Sequence, residues 1–331
     1  MSPRGRSLAR SGDRPTKLTI AIPTHSRAGT LAETLRSVFA LEIPSGWDAE
    51  CVVVDNASTD STAAVFDSVA RSAPFPARRV YEPRKGSSFA RNRAVDESAG
   101  DVVLFIDDDA LAEPDWAARM VVAMERRSLD AACGMVIPRW PSTKLPRWLG
   151  PRLWVKLAVH DREALARNRP AQNELLANYF SANAAFRRQA FERFGRFRED
   201  LGVVGDNPLS GEDTELFARI IRAGGAMGFV PDAVVHHMIG PERIRRAYLL
   251  KKSFGYGIGS AFAGGRSHNR LDKLAKNVLR MAAAALRGDG EGVMYHGCEC
   301  ANFLGYWRGR ILRAGQPRTA SAGQVGKQAA P

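Results

Sequence analysis

From residue 17 the chain alternates short apolar runs with segments of helical periodicity. LTIAIPT, starting at Leu18, is an apolar run stopped at Pro23; over Thr30–Phe39 the residues Leu31, Leu35, Val38 and Phe39 then recur at helical spacing. CVVVDNAS, from Cys51, is a second run ending in the turn-forming pair Asp55-Asn56, and Ser61–Ala70 continues as a helix. Arg79-Val80-Tyr81 predicts a third strand, Ser87–Ser98 a helix, and DVVLFIDDD a fourth strand that closes on three carboxylates. Continuously apolar strands are buried on both faces, so the alternation predicts an α/β fold: a mostly parallel sheet flanked by helices. Such sheets bind ligands beyond the carboxyl ends of their strands. Thr24, His25, Asp55, Asn56, Asp107, Asp108 and Asp109 all fall there.

The second half is less regular. Leu129–Pro138 reads as a strand, the Trp- and Pro-rich WPSTKLPRWLGPRLW as a loop, and SANAAFRR as the lead into a short helix. GEDTELFARIIRAGG is a helix with Leu216, Ile220 and Ile221 on one face and a Gly-Gly stop. MGFVPDAVVHH reads as a pair of short strands, and residues 241–314 as a helical extension. Residues 1–16 and 315–331 have too little apolar content to pack and read as disordered tails.

The charge follows this division. The chain carries a formal +13, yet from Pro241 onward there are 16 Lys and Arg against five Asp and Glu, and residues 1–17 hold five against one. The body between is close to neutral, which excludes reading the whole chain as a nucleic-acid binder. No secretory signal is visible at the Arg-rich start, and no apolar stretch reaches the roughly 18 residues that span a bilayer. Cys51 and Cys133 lie inside apolar runs, while Cys298 and Cys300 are too close for an easy disulfide and lack a second pair for zinc. The expectation is a cytoplasmic protein. In Asn269–Arg287, Leu271, Leu274, Ala275, Val278 and Ala282 share a helical face opposite Lys273, Lys276 and Arg280. Two readings stay open: peripheral contact with the inner face of an anionic membrane, or an apolar stripe packed on the core.

Three adjacent carboxylates repel one another unless something positive sits among them. In an extended segment Asp107 and Asp109 would share a face, and such a pair suits a hard divalent ion, Mg²⁺ or Mn²⁺. The alternative is a solvated turn in which Asp109 caps the next helix. Asp55 can accept from a ribose hydroxyl or a base N–H, or serve the turn before the next helix. Between these acids, Lys85, Gly86, two serines and Arg91 open a helix, a combination that favours phosphate.

AIPTHSRAGTLAETLRS, VVVDNASTD, SSFARNRA, LFIDDD, SANAAFRR and GEDTELFARIIRAG, in this order, resemble family 2 glycosyltransferases. The resemblance spans about Lys17 to Arg246. It implies a Rossmann-like GT-A fold over residues 17–240, with a nucleotide-sugar half (17–117) and an acceptor half (118–240). It also implies a UDP-, GDP- or dTDP-sugar donor, a hydroxyl acceptor, a divalent metal and inversion at the anomeric carbon. By position, Pro23, Thr24, His25, Arg27, Asp55 and Asn56 would face the nucleotide. Lys85 and Arg91 would lie by the diphosphate. Asp107 and Asp109 would form the Asp-x-Asp of the metal site, with His237 (or His236) near the metal, and Asp107 and Asp108 would also contact the donor nucleotide. Asp213 would be the catalytic base, with Glu212 and Asn183 touching acceptor or donor sugar. The competing readings are a sugar nucleotidyltransferase and an inactive basic protein bound at a membrane surface.

Overall fold

A computed structural model describes residues 16–163, 165, 179–202, 209–264 and 271–314. The expected tails lie outside these residues, apart from Thr16. Four parallel strands, β1 (Lys17–Thr24), β2 (Asp48–Asp55), β3 (Ala77–Tyr81) and β4 (Val102–Ile106), are joined by α1 (Ala28–Phe39), α2 (Thr62–Val69) and α3 (Ser87–Glu97). There follow β5 (Ala110–Ala112), α4 (Trp116–Arg126), β6 (Ala131–Arg139), α5 (Pro151–Trp154), β7 (Asn183–Arg187), α6 (Arg188–Phe194), α7 (Glu212–Arg222) and β8 (Met227–Met238). All eight strands share one sheet, in the order β3-β2-β1-β4-β7-β6-β8-β5.

The alternation of strand side chains builds two cores. Ile20, Ile22, Cys51, Val53, Leu104 and Ile106 pack with Leu31, Leu35 and Val38 of α1 and Trp116 and Met120 of α4. Ala21, Val52, Val54, Val103 and Phe105 pack on the other face with Ala90 and Ala94 of α3, Phe191 of α6 and Leu216 and Phe217 of α7. With both faces covered, every residue of β4 is buried, and its carboxyl end becomes a rigid mount.

Two sequence readings change here. SANAAFRR is not merely a helix lead-in: Asn183–Arg187 forms β7, antiparallel to both β4 and β6. Its alanines carry little strand propensity, and burial between two neighbours decides the outcome. MGFVPDAVVHH is one strand, not two. It runs parallel to β6 with a register shift between Gly134 and Met135, whose partners are Val230 and Val234. The Pro231-Asp232 pair that resembles a turn is the bulge, where a residue without an N–H can be accommodated.

Asn183 sits at that bulge. Its amide nitrogen donates to the carbonyls of Met135 (2.8 Å) and Ala233 (2.9 Å), and its oxygen accepts from Trp116 Nε1 (2.8 Å). A Cβ at position 134 would stand 2.3 Å from the Ala233 oxygen and 2.4 Å from Asn183 Nδ2, so glycine is required by close approach. Asn183 is fully buried, and its amide is engaged by β6, β8 and Trp116 of α4.

The helical extension comprises α8 (Arg246–Phe262), α9 (Leu271–Leu286) and α10 (Gly290–Ala314). Helices α8 and α10 touch backbone to backbone: a Cβ on Gly305 would lie 1.9 Å from the Phe254 oxygen. Of the apolar stripe of α9, Leu271, Ala275, Val278 and Ala282 are exposed and Leu274 is half-buried, so the stripe does not pack on the core; outside it Leu279 is 70% and Leu286 90% exposed, and Ala284 is buried. No helix among the described residues is long and apolar enough to cross a membrane.

Replacing Asn183 with alanine strands a buried indole N–H and two buried carbonyls, each worth roughly 1–3 kcal/mol when unpaired. Asn183→Ala is expected to cost about 3 kcal/mol in equilibrium urea unfolding; an unchanged midpoint would show that the amide bridge contributes nothing.

Candidate active site

The three acids follow β4 in a turn before β5, not in an extended strand. The expected alternation, with Asp107 and Asp109 on one face, is therefore not adopted. Asp108 and Asp109 are both buried and share Arg27. Arg27 Nη1 lies 3.2 Å from Asp108 Oδ1 and closer still to Asp109 Oδ2. Asp107, less buried, lies 3.3 Å from Arg91 Nη2. Thr24 donates its hydroxyl to Asp108 Oδ2 at 2.7 Å. Nor does Asp109 cap a helix, because β5 intervenes before α4.

Strand register brings in the next groups. β5 runs antiparallel to β8, with Ala110 opposite His237 and Leu111 opposite His236. His237 Nε2 consequently lies 3.2 Å from Asp109 Oδ1, whereas His236 reaches Glu113 at 3.1 Å. Arg243, just beyond β8, donates to Asp109 Oδ2 at 2.6 Å. Burial pushes the Asp108 carboxyl up to about 6, with Asp109 adding to it and Arg27 and the Thr24 hydrogen bond opposing. Burial would raise Asp109 too, but the neighbouring His237 imidazole and the charges of Arg243 and Arg27 hold it far below the usual carboxylate range. The positive charge required by the acidic run is thus supplied by guanidinium groups.

At the end of β2, Asp55 accepts from Arg79 Nη1 and from the Ser58 N–H, each at 3.0 Å. Asn56 donates to the carbonyls of Glu82 (3.1 Å) and Arg84 (2.6 Å) and accepts from the Gly86 N–H (2.8 Å). The amide thereby holds the 82–86 loop. His25 is exposed, and its Nδ1 donates to the Asn56 carbonyl at 2.6 Å. Pro23 is half-buried, and Lys85 stands exposed one residue before Gly86. Ser26 and Ala57 adopt left-handed backbone, with φ of 50° and 54°. Each costs a side-chain-bearing residue roughly 1–2 kcal/mol. Both lie in the loops at these strand ends, where such strain tends to cluster.

A buried guanidinium joins this cluster to the start of α7. Arg91 Nη1 donates to Glu212 Oε1 at 2.6 Å while its Nη2 faces Asp107. Glu212 also accepts from the Ser87 hydroxyl (2.8 Å) and the Gly211 N–H (3.0 Å). Buried Glu212 thus supports Arg91. Asp213, beside it at the start of α7, is only partly buried. Its Oδ2 accepts from the Ser181 N–H (3.3 Å) and hydroxyl (3.2 Å), and its Oδ1 from the Thr214 N–H (2.7 Å). Burial and the neighbouring Glu212 charge raise the Asp213 carboxyl, against the pull of Arg91 and two backbone N–H groups. Glu212 moves the other way: burial would raise it, but Arg91 outweighs that and holds it low. The Tyr256 hydroxyl braces Thr214 at 2.8 Å.

Sequence reasoning missed Arg243, Ser181 and Tyr256 as parts of this site. Ser181 lay inside a quoted motif; Arg243 lay in a stretch read only as basic extension. As a metal position, Asp109 Oδ1 is buried without a hydrogen-bond partner beside an imidazole nitrogen, an oxygen and nitrogen pair that fits a divalent ion. Among the described residues no three His, Cys, Asp or Glu side chains form a ready-made cage.

The family model for glycosyl transferase family 2 matches residues 19–195. Succinoglycan biosynthesis protein ExoM of Rhizobium meliloti is 32% identical over 267 residues, covering 80% of this chain and 78% of that protein. Glucosyl-dolichyl phosphate glucuronosyltransferase of Haloferax volcanii is 28% identical over 178 residues, 53% of this chain and 55% of its own length. The structure of mannosyltransferase PcManGT from Pyrobaculum calidifontis, in complex with GDP-Man and Mn²⁺, superposes with a TM-score of 0.61 at 20% identity, over 91% of this chain and 88% of that one. That likeness is one of fold, and the fold is GT-A. With the family match covering more than half of its length, the chain belongs to glycosyl transferase family 2 and is a glycosyltransferase.

Proposed function

We propose that the enzyme moves a sugar from a nucleoside-diphosphate donor (UDP-, GDP- or dTDP-linked) to an acceptor hydroxyl by a single inverting displacement assisted by Mg²⁺ or Mn²⁺. One observation carries this reading: buried Arg91 spans Asp107 on the donor side and Glu212, next to Asp213, on the other. A displacement needs charge stabilisation at the leaving group and a base at the incoming hydroxyl, held at fixed separation. The GDP-Man and Mn²⁺ bound to PcManGT support a nucleotide sugar and a divalent ion for this fold.

In this reading Asp107, Asp109 and His237 hold the ion, which when bound stabilises negative charge on the departing diphosphate. Arg27, Arg91 and exposed Lys85 supply further positive charge, and Asp55 with the 23–25 loop meets the nucleoside. Asp213 Oδ2 or Oδ1 takes the acceptor proton as the new glycosidic bond forms. The upward shift of this carboxyl suits a base that works near neutral pH. A nucleotidyltransferase would release pyrophosphate, and a binding protein would release nothing; nucleoside diphosphate among the products separates the three.

The same reading includes contact with an anionic membrane through α9. Its outward Leu271, Val278, Leu279 and Leu286 are exposed, and Lys273, Lys276 and Arg280 lie on the same helix. Apolar surface beside cations is the composition that binds an anionic lipid interface. The dolichyl phosphate in the name of the Haloferax relative adds support for a lipid-linked acceptor.

Asp213→Asn is expected to lower kcat by about 10²–10⁴-fold with nucleotide affinity nearly unchanged; a folded variant with normal turnover would refute the base assignment. In the wild type, kcat should fall as pH drops and Asp213 takes up a proton. Because its carboxyl is raised by burial and Glu212, that loss should begin above the ordinary aspartate value of about 3.9. A rate that stays level down to that value would remove Asp213 from the role.

For the membrane contact, co-sedimentation with phosphatidylserine-containing vesicles is the measurement. Leu279→Glu combined with Leu286→Glu should reduce the bound fraction at least tenfold, since each buried leucine contributes roughly 1.5–3 kcal/mol. Equal sedimentation of variant and wild type would exclude this face.

A further inference from the structure

Arg243 lies six residues beyond His237 and outside the matched span 19–195. Its largely buried guanidinium gives Nη2 to Asp109 Oδ2 (2.6 Å) and Nη1 to His237 Nε2 (2.7 Å). Arg27 donates to the same Oδ2. One oxygen of Asp109 thus holds two guanidinium groups, while Oδ1 is buried without a hydrogen-bond partner and faces His237 Nε2 at 3.2 Å. His237 Nδ1 is buried and lacks a partner as well.

No placement of protons on His237 satisfies this arrangement. A proton on Nε2 can serve Asp109 Oδ1, but then the Arg243 N–H points at another donor. A proton on Nδ1 makes Nε2 an acceptor for Arg243. It also leaves Nδ1–H unmet and sets two lone pairs, on Nε2 and Oδ1, against each other. A cation between Nε2 and Oδ1 would use both lone pairs, provided Arg243 withdraws from Nε2. Charge permits the exchange. A divalent ion and the diphosphate of a nucleotide sugar arrive as a neutral pair, so a guanidinium can turn from carboxylate to phosphate without altering the net charge of the site.

We propose that Arg243 is a placeholder cation: it neutralises Asp109 in the donor-free enzyme and moves to the diphosphate oxygens when a divalent ion occupies the space between Asp109 and His237. This rests on the reading of Asp109 as a metal-facing carboxylate. Arg243 sits in the turn segment between β8 and α8, and a long side chain anchored outside regular structure can swing without disturbing the sheet. Arg243 is then a residue that couples ion and donor binding, not one that only fixes the fold.

The test is Mn²⁺ titration of the full chain followed by electron paramagnetic resonance of the free ion, with and without GDP or UDP. In the wild type, nucleoside diphosphate should tighten Mn²⁺ binding at least tenfold, because it gives the displaced guanidinium a new partner. Arg243→Gln should bind Mn²⁺ alone several-fold more tightly than wild type, the competing cation being gone, and lose most of that coupling. If Arg243→Gln does not fold, Arg243→Lys is read in its place: it keeps the charge but cannot engage two groups at once, so its coupling should fall by a smaller factor. Weaker or unchanged Mn²⁺ binding by Arg243→Gln, with coupling intact, overturns the proposal and leaves the metal reading standing. Mn²⁺ binding absent from wild type, or unaffected by Asp109→Asn, overturns both.

Discussion

Repulsion among the three carboxylates after β4 is the constraint that organises the end of this sheet. A buried strand delivers Asp107, Asp108 and Asp109 into one turn, two of them shielded from water, where their mutual charge would be prohibitive without compensation. The compensation comes from well-separated parts of the chain: Arg27 after β1, Arg91 in α3, and Arg243 after β8. These cations also tie the loops to the end of the sheet, so the electrostatics of the site and the closure of the fold are one problem. Buried charges are tolerated because each is paired and hydrogen-bonded.

That arrangement divides labour among neighbouring acids. His237, Arg243 and Arg27 hold Asp109 low, while burial pushes Asp108, which shares Arg27, upward. Glu212 and Asp213 are split in the same sense. The one that grips Arg91 stays low and the one that does not is raised. Adjacent carboxylates with opposed environments can perform different tasks at one pH.

Much of this was legible in the sequence. The apolar runs of β1, β2 and β4 and the helical spacing of α1 and α7 are strong local signals, and the motifs place acids at strand ends without any structure. What escaped depends on contacts between distant segments. β7 is strand because β4 and β6 flank it, not because alanines prefer that state. Asn56, Asn183 and Glu212 resemble ligand residues in a motif, yet each satisfies buried groups of the scaffold. The pairing of β5 with β8, which selects His237 over His236, rests on a three-residue strand too short to announce itself.

Arg91 has a consequence beyond holding charge. It is buried, and its two terminal nitrogens are fastened to Asp107 after β4 and to Glu212 at the start of α7. Separating these two segments would break a hydrogen-bonded ion pair in a poorly hydrated setting. The gap between Asp107 and Glu212 is therefore set by the span of one guanidinium, as a gauge block sets the jaws of a vice.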